Sequence, residues 1–282
     1  MATSQASKLG GLMAGKRGLI MGVANDHSIA WGIARTLAAN GAELAFTYQG
    51  EAQARRVRPL AESVGSRLVV PCDVSNDAEL DAGFETLRRA WGRLDFVVHA
   101  IAYSDRSELR GRYVETTRQN FLSTLNISCY SFTDVARRAA ALMKDGGALL
   151  TLTFEGASRV MPNYNVMGVA KAALEASVRY LAADLGKDGI RINAISAGPM
   201  RTLAGSAVSD ARLVFKWNKA HSPLKMSIEL DHIGGAALYL LSELSAGVTG
   251  EIHFVDAGYN VVGMPPTADL KGWIAPENGE AD

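Results

Sequence analysis

The chain has 282 residues, with 29 Lys plus Arg against 29 Asp plus Glu, 48% hydrophobic residues and 2 Cys. A neutral total removes the electrostatic reason to expect a polyanionic partner, so neither nucleic acid nor an anionic membrane surface is expected. Cys72 and Cys129 have no metal-type spacing, residues 1–13 lack the apolar stretch of a secretory signal, and no run approaches the ~18 apolar residues of a spanning helix, so a soluble cytoplasmic protein with reduced thiols is expected.

Arg17 to Gly22 reads as a first strand, and a turn over Gly22 to Gly32 leads into a helical pattern from Ile29 to Asn40, closed by Gly41. The strand pattern Glu43 to Tyr48 precedes a helix over about Ala52 to Val64, and Arg67 to Val70 precedes one over Ala78 to Ala90. Phe96 to Ala100 is followed by a polar interruption at 103–118 and a long helical pattern from Phe121 to Leu142. Ala148 to Phe154 leads to a helix from Asn165 to Leu185 closed by Gly186, and Arg191 to Ile195 leads to a second interruption at 200–227. A helix over about Ile228 to Leu241 and a last strand, Glu251 to Val255, complete the order. Several strands are apolar without alternation, as befits strands buried on both faces. Repeated strand-helix-strand order predicts an α/β fold of Rossmann type: a doubly wound, seven-stranded parallel sheet with helices on both faces. One domain is expected over 14–264, with a flexible start at 1–13 and a mobile tail at 265–282. Ligands of such sheets bind beyond the carboxyl ends of the strands, so the interruptions at 103–118 and 200–227 are candidate walls of a substrate site.

Two features carry chemistry. In the first turn, Gly22 lets the strand end bend tightly, Ser28 is placed to cap the next helix or to donate to a phosphate, and Gly32 permits close helix-sheet packing. The G-x-G-x-x-G fingerprint is absent, but a turn after the first strand of a βαβ unit is where such folds hold a dinucleotide pyrophosphate. Gln49, at the end of the second strand, is neutral and suits ribose hydroxyls, which favours NAD over NADP even with Arg55 and Arg56 on the next helix. The second feature is Tyr164 with Lys171 on the helix after strand five. Seven residues are nearly two turns, ~700° and ~10.5 Å, so both side chains share one helical face. Tyr180 and Lys187 repeat that spacing, but Gly186 leaves Lys187 outside the helix.

The runs Gly22 to Gly32 (GVANDHSIAWG), Tyr164 to Lys171 (YNVMGVAK) and Arg191 to Leu203 (RINAISAGPMRTL) resemble the bacterial NADH-dependent enoyl-[acyl-carrier-protein] reductases, a divergent branch of the short-chain dehydrogenase/reductase superfamily. The resemblance runs from about Gly11 to Met264. Ordinary superfamily members leave three residues between Tyr and Lys, whereas enoyl reductases leave six; none of the eight tyrosines here has a lysine four positions later. The displacement has a physical meaning. Hydride lands on the β-carbon of an enoyl thioester, not on the carbonyl carbon, so the phenol that meets the oxygen must be displaced from the ordinary slot, here Met167; Tyr164 stands three residues earlier, ~4.5 Å along the helix.

The resemblance implies that Gly22, Ser28 and Ile29 line the pyrophosphate of NADH, that Gln49 borders the adenosine, and that Asp73 and Val74 meet the adenine. It implies that Ala100, Ile101 and Ala102 run under the ribose and nicotinamide, and that Met200 and Thr202 flank the carboxamide and phosphates. Lys171 is implied to bond the nicotinamide ribose, and Tyr164 to donate to the thioester oxygen. Phe154 and Tyr164, with Ala204 and Val208 of a mobile lid, are implied to meet the acyl chain. The implied reaction reduces the C=C of a trans-2-enoyl chain carried on acyl carrier protein, in a cytoplasmic homotetramer. Basic Arg201, Arg212, Lys216, Lys219 and Lys225, with Asp210 as the one acid among them, would meet an acidic carrier protein. Two other readings stay open: a short-chain reductase of another carbonyl or conjugated substrate, and an NAD(H)-sensing protein without turnover.

The sequence departs from the family where many members have Tyr-x-Gly-Ala ten residues before the catalytic tyrosine; here the run is Phe154-Glu155-Gly156-Ala157. Phe154 is expected to supply aromatic packing alone, and Glu155 to add a charge at the strand end that changes substrate preference. The five histidines show no metal-ligand spacing, and Cys129 reads as a small core residue.

Overall fold

The structure is a computed structural model that describes residues 11–200, 202 and 211–264. Among them run β1 (Arg17–Met21), α1 (Ile29–Ala39), β2 (Glu43–Tyr48), α2 (Gly50–Ser63), β3 (Leu68–Pro71), α3 (Asp77–Trp91) and β4 (Phe96–His99). They continue through α4 (Arg118–Leu125), α5 (Ser131–Ala140), β5 (Gly147–Thr153), α6 (Asn165–Leu185), β6 (Ile190–Ala197), α7 (Ala211–His221), α8 (Leu230–Leu241) and β7 (Ile252–Val255). The seven strands form one sheet in the order β3-β2-β1-β4-β5-β6-β7, and every neighbouring pair is parallel.

Strand residues feed two apolar layers by turns. Ile20, Phe46, Val98 and Leu150 pack on the face covered by α1, α2 and α8. Leu19, Met21, Val97 and Leu149 point to the other face, against α3, α5 and α6. Burial on both faces is why the central strands read as unbroken apolar runs. The sheet reverses its order between β1 and β4, and the ends of these strands open the crevice in which this architecture binds ligands.

Three local expectations change. The long helical pattern from Phe121 to Leu142 is α4 and α5 joined by a π-helical turn, Asn126–Tyr130. There the Ser128 hydroxyl accepts from the Tyr103 N–H at 2.9 Å, tying the turn to the loop beyond β4. Gly32 serves helix-helix rather than helix-sheet packing, since a Cβ on it would stand 2.7 Å from that of Leu230 on α8. The flexible start expected over 1–13 does not reach Met13, which is fully buried and whose N–H donates to the Asn40 carbonyl at 3.0 Å. The tail expected at 265–282 lies outside the described residues.

Candidate active site

A cleft of about 1080 Å³ opens over the carboxyl ends of the strands. Its floor begins at Gly22, where φ is +95° and a Cβ would lie 2.0 Å from the Ala100 carbonyl oxygen. Glycine alone lets β1 and β4 approach this closely at the switch point. Beside it the N-terminus of α1 faces the same space. Ser28 is its N-cap residue but does not cap it. Instead its hydroxyl accepts from the N–H groups of Ala24 and Asn25, each at 3.0 Å, and fixes the loop. The first turn of α1 is thus left without a side-chain acceptor, and an uncapped N-terminus attracts an anion.

At the far end, Gln49 donates to Asp73 at 2.7 Å. Burial opposes the charge on Asp73, but hydrogen bonds from Ser75 and Gln49 outweigh it and hold the carboxyl below its usual range. Arg55 and Arg56 are exposed on α2 and do not line the cleft. Cys72 does line it, but burial, with Glu79 and Asp73 adding to the effect, pushes its thiol up to about 12, so it is no nucleophile.

Tyr164 is not on the helix but at its threshold, as the residue before α6, with a backbone at φ −111° and ψ −27°. Asn163 and Asn165, which flank it, have φ of +57° and +34°. Asparagine tolerates such backbone better than most residues, and strain of this kind aims a side chain. The ring is held from two sides. Phe154 meets it edge-on, with centroids 5.1 Å apart and planes at 66°, a contact worth about 1 kcal/mol beyond its area. Gly156 makes room for it: a Cβ there would stand 2.4 Å from the Tyr164 ring. Burial, with the Glu175 carboxylate adding to it, pushes the phenol well above its usual range, so Tyr164 is a neutral donor at any working pH. Lys171, on α6, donates through Nζ to the Leu152 carbonyl at 2.7 Å. Burial pulls its pKa down to about 8, against opposing effects of Cys129 and Glu175.

The structure brings nearly the whole expected set together. Gly22, Ser28, Ile29, Gln49, Asp73, Val74, Ala100, Ile101, Ala102, Phe154, Tyr164, Lys171, Met200 and Thr202 all line the one cleft. Ala204 and Val208 lie outside the described residues, as do Arg201 and Asp210. Glu155 is a correction. It is buried, ion-paired with Arg159 at 3.1 Å, and absent from the cleft lining. It lines a small adjoining pocket with Trp217 and Asp256, and burial raises its carboxyl. Leu109 and Phe215 line the cleft from the two segments expected to wall it, whereas Thr47, Thr153 and Ile127 are lining residues that sequence reasoning missed. The two threonines sit at strand carboxyl ends, a signal available in the sequence. Ile127 depends on the π turn, which has none.

A parallel doubly wound sheet with an anion-seeking helix terminus, a half-buried neutral phenol and a buried lysine over its switch point is the architecture of a Rossmann-type reductase. The family model described as Enoyl-(Acyl carrier protein) reductase matches residues 22–260. The chain is 63% identical to enoyl-[acyl-carrier-protein] reductase [NADH] 2 of Rhizobium meliloti over 93% of its own length and 98% of that protein's. Among solved structures, FabI from Candidatus Liberibacter asiaticus superposes with a TM-score of 0.90 at 57% identity, over 91% of this chain and 100% of that one. The Anaplasma phagocytophilum reductase solved in complex with NAD gives 0.89 at 60% identity, over 91% of this chain and 98% of that one. The chain belongs to the enoyl-[acyl-carrier-protein] reductase family.

Proposed function

We propose that this chain reduces the C=C bond of trans-2-enoyl thioesters carried on acyl carrier protein, with NADH as reductant, as the reductive step of fatty-acid elongation. The observation that carries the reading is the displaced pair: Tyr164, one residue before α6, and Lys171, within it, converge on the same cleft as Gly22 and the uncapped end of α1. The cleft suits the cofactor at both ends. Gly22 lacks the Cβ that would block the pyrophosphate floor, and Gln49 with Asp73 offers neutral and anionic acceptors to an adenosine, with Arg55 and Arg56 outside the cleft lining. When bound, reduced nicotinamide supplies the hydride. Tyr164 donates to the thioester oxygen as negative charge gathers there, and Lys171 holds the nicotinamide ribose and adds a positive charge nearby. Phe154 keeps the Tyr164 ring aimed, and Val214 and Phe215 of α7 add apolar wall to the acyl end of the cleft. A protein that bound NAD(H) without turnover would have no use for a packed phenol aimed into the cleft.

Acyl carrier protein is read as docking on α7 and the loop after it, where Arg212, Lys216, Lys219 and Lys225 are exposed. Assembly as a homotetramer and a cytoplasmic location belong to the same reading. Exposed Leu122, Tyr130 and Tyr180 give the α4 to α6 region apolar surface for such contacts, and no described helix is long and apolar enough to cross a membrane.

Replacing Lys171 with Ala is expected to weaken NADH binding about tenfold or more, since charge-assisted hydrogen bonds are lost. Fluorescence titration of NADH checks this, and unaltered affinity would contradict the ribose contact. In the unsubstituted protein the affinity should fall as pH rises through about 8, where Lys171 loses its proton.

A further inference from the structure

Two hydrogen bonds join consecutive residues at the end of β5 to consecutive turns of α6. Lys171 donates to the Leu152 carbonyl, and the Thr153 hydroxyl donates to Glu175 Oε1, each at 2.7 Å. The strand end cannot yield, because Leu152 and Thr153 are paired with Ile195 and Ser196 of β6. Both β5 residues line the cleft. Glu175 follows Lys171 by one helical turn, about 6 Å along the axis, and its carboxylate is anchored on the strand rather than on the ammonium.

The surroundings of the pair are sparse in charge. His99 from β4, Cys129 from the π turn and Glu175 from α6 bear on Lys171. His99 is neutral, since burial first and Lys171 second pull its pKa down to about 3. Arg179, Lys171 and the Thr153 hydroxyl face Glu175, with Glu155 and Tyr164 also in its field. Burial raises the Glu175 carboxyl, while the Thr153 hydrogen bond, Arg179 and Lys171 work against that rise, and Glu175 is the carboxylate that opposes the desolvation of Lys171 among the described residues.

We propose that Glu175 is a positioning residue for the reaction: anchored by Thr153, it pins α6 to the end of β5 and supplies the counter-charge for Lys171 where that ammonium meets the cofactor ribose. The inference rests on the reading of Lys171 as a cofactor ligand. Glu175 does not line the cleft and acts through Lys171.

Glu175→Gln retains the shape and an oxygen to accept from Thr153 but removes the charge. Two readouts test it: the titration of Lys171 in the cofactor-free protein, followed by the NMR shift of its ε-carbon and assigned by its loss in Lys171→Ala, and NADH affinity as a function of pH. The Lys171 midpoint is expected to move below about 8. NADH affinity is expected to match the unsubstituted protein near pH 6 and to be weaker by about threefold or more at pH 8. Glu175→Asp should recover part of the difference. An unmoved midpoint, or an equal loss of affinity at both pH values, would overturn the proposal, the second outcome marking a merely structural role. If Glu175→Gln does not fold, Thr153→Val decides: freeing the carboxylate should shift the midpoint the same way by less, and no shift would overturn the role. Lys171→Ala separates the two levels. If it leaves NADH affinity intact, the ribose contact itself is wrong, whereas a loss there with no shift in Glu175→Gln refutes the counter-charge alone.

Discussion

Tyr164→Phe is expected to lower kcat/KM for an enoyl thioester by about 10²-fold, the equivalent of roughly 3 kcal/mol of transition-state stabilisation, while NADH affinity stays within about twofold. The substitution removes one hydroxyl and little else. The edge-on contact with Phe154 and the space left by Gly156 both concern the ring, which is retained. The loss should also be uniform across pH, because burial keeps the phenol neutral well past the range of an assay. Steady-state rates at several pH values, paired with NADH titration, measure both halves. A variant with full turnover would remove the phenol from the role assigned to it.

Gly22→Ala is expected to damage fold and cofactor binding together. The backbone there is left-handed, at φ +95°, and the added Cβ would stand 2.0 Å from a backbone carbonyl that belongs to the end of the neighbouring strand. Neither side has slack: Gly18 to Met21 of β1 pair in register with Phe96 to His99 of β4. Strain at a special backbone position and overpacking combine, so a loss of about 2–4 kcal/mol in denaturant unfolding is expected. In the fraction that folds, NADH affinity should fall about tenfold or more, because the two strand ends that floor the pyrophosphate site are forced apart. Stability and affinity near those of the unsubstituted protein would mean that β1 and β4 do not meet as closely as described.

How far the sequence carries depends on what each feature requires. The succession of strands and helices along the chain is governed by apolar periodicity and by glycine stops, both local, and α6 spans Asn165–Leu185 as the pattern implies. Gly22 and Gln49 could be placed before any coordinates from the rule that ligand contacts come from strand carboxyl ends, whereas Asp73 and Ala100 follow only from the family resemblance. What resisted were choices that side chains make only in three dimensions. Ser28 has the residue type of a cap, but the loop over Ala24 and Asn25 claims its hydroxyl first. Tyr164 fits a helical face by spacing, yet the strained asparagines on either side set it just before the helix. A π turn adds one residue to a helical repeat without altering composition, so Asn126–Tyr130 reads as ordinary helix. Glu155 looks like a strand-end charge until Arg159, four residues on, folds back to pair with it. Glu175 gave no sign, since a carboxylate one turn after a lysine is usually a solvated pair; the Thr153 hydroxyl that anchors it comes from a different element.

Delivery of hydride to the β-carbon of an enoyl thioester can be followed by the position of a transferred label. The protein would be given NADH deuterated at the transferable position of the nicotinamide, together with a short trans-2-enoyl thioester, and the product read by mass spectrometry and NMR. The expected product is a saturated thioester with one deuterium on the β-carbon, a solvent-derived hydrogen on the α-carbon and the carbonyl intact. Label on a carbonyl carbon of a ketone substrate, with no NADH consumed by any enoyl thioester, would contradict it.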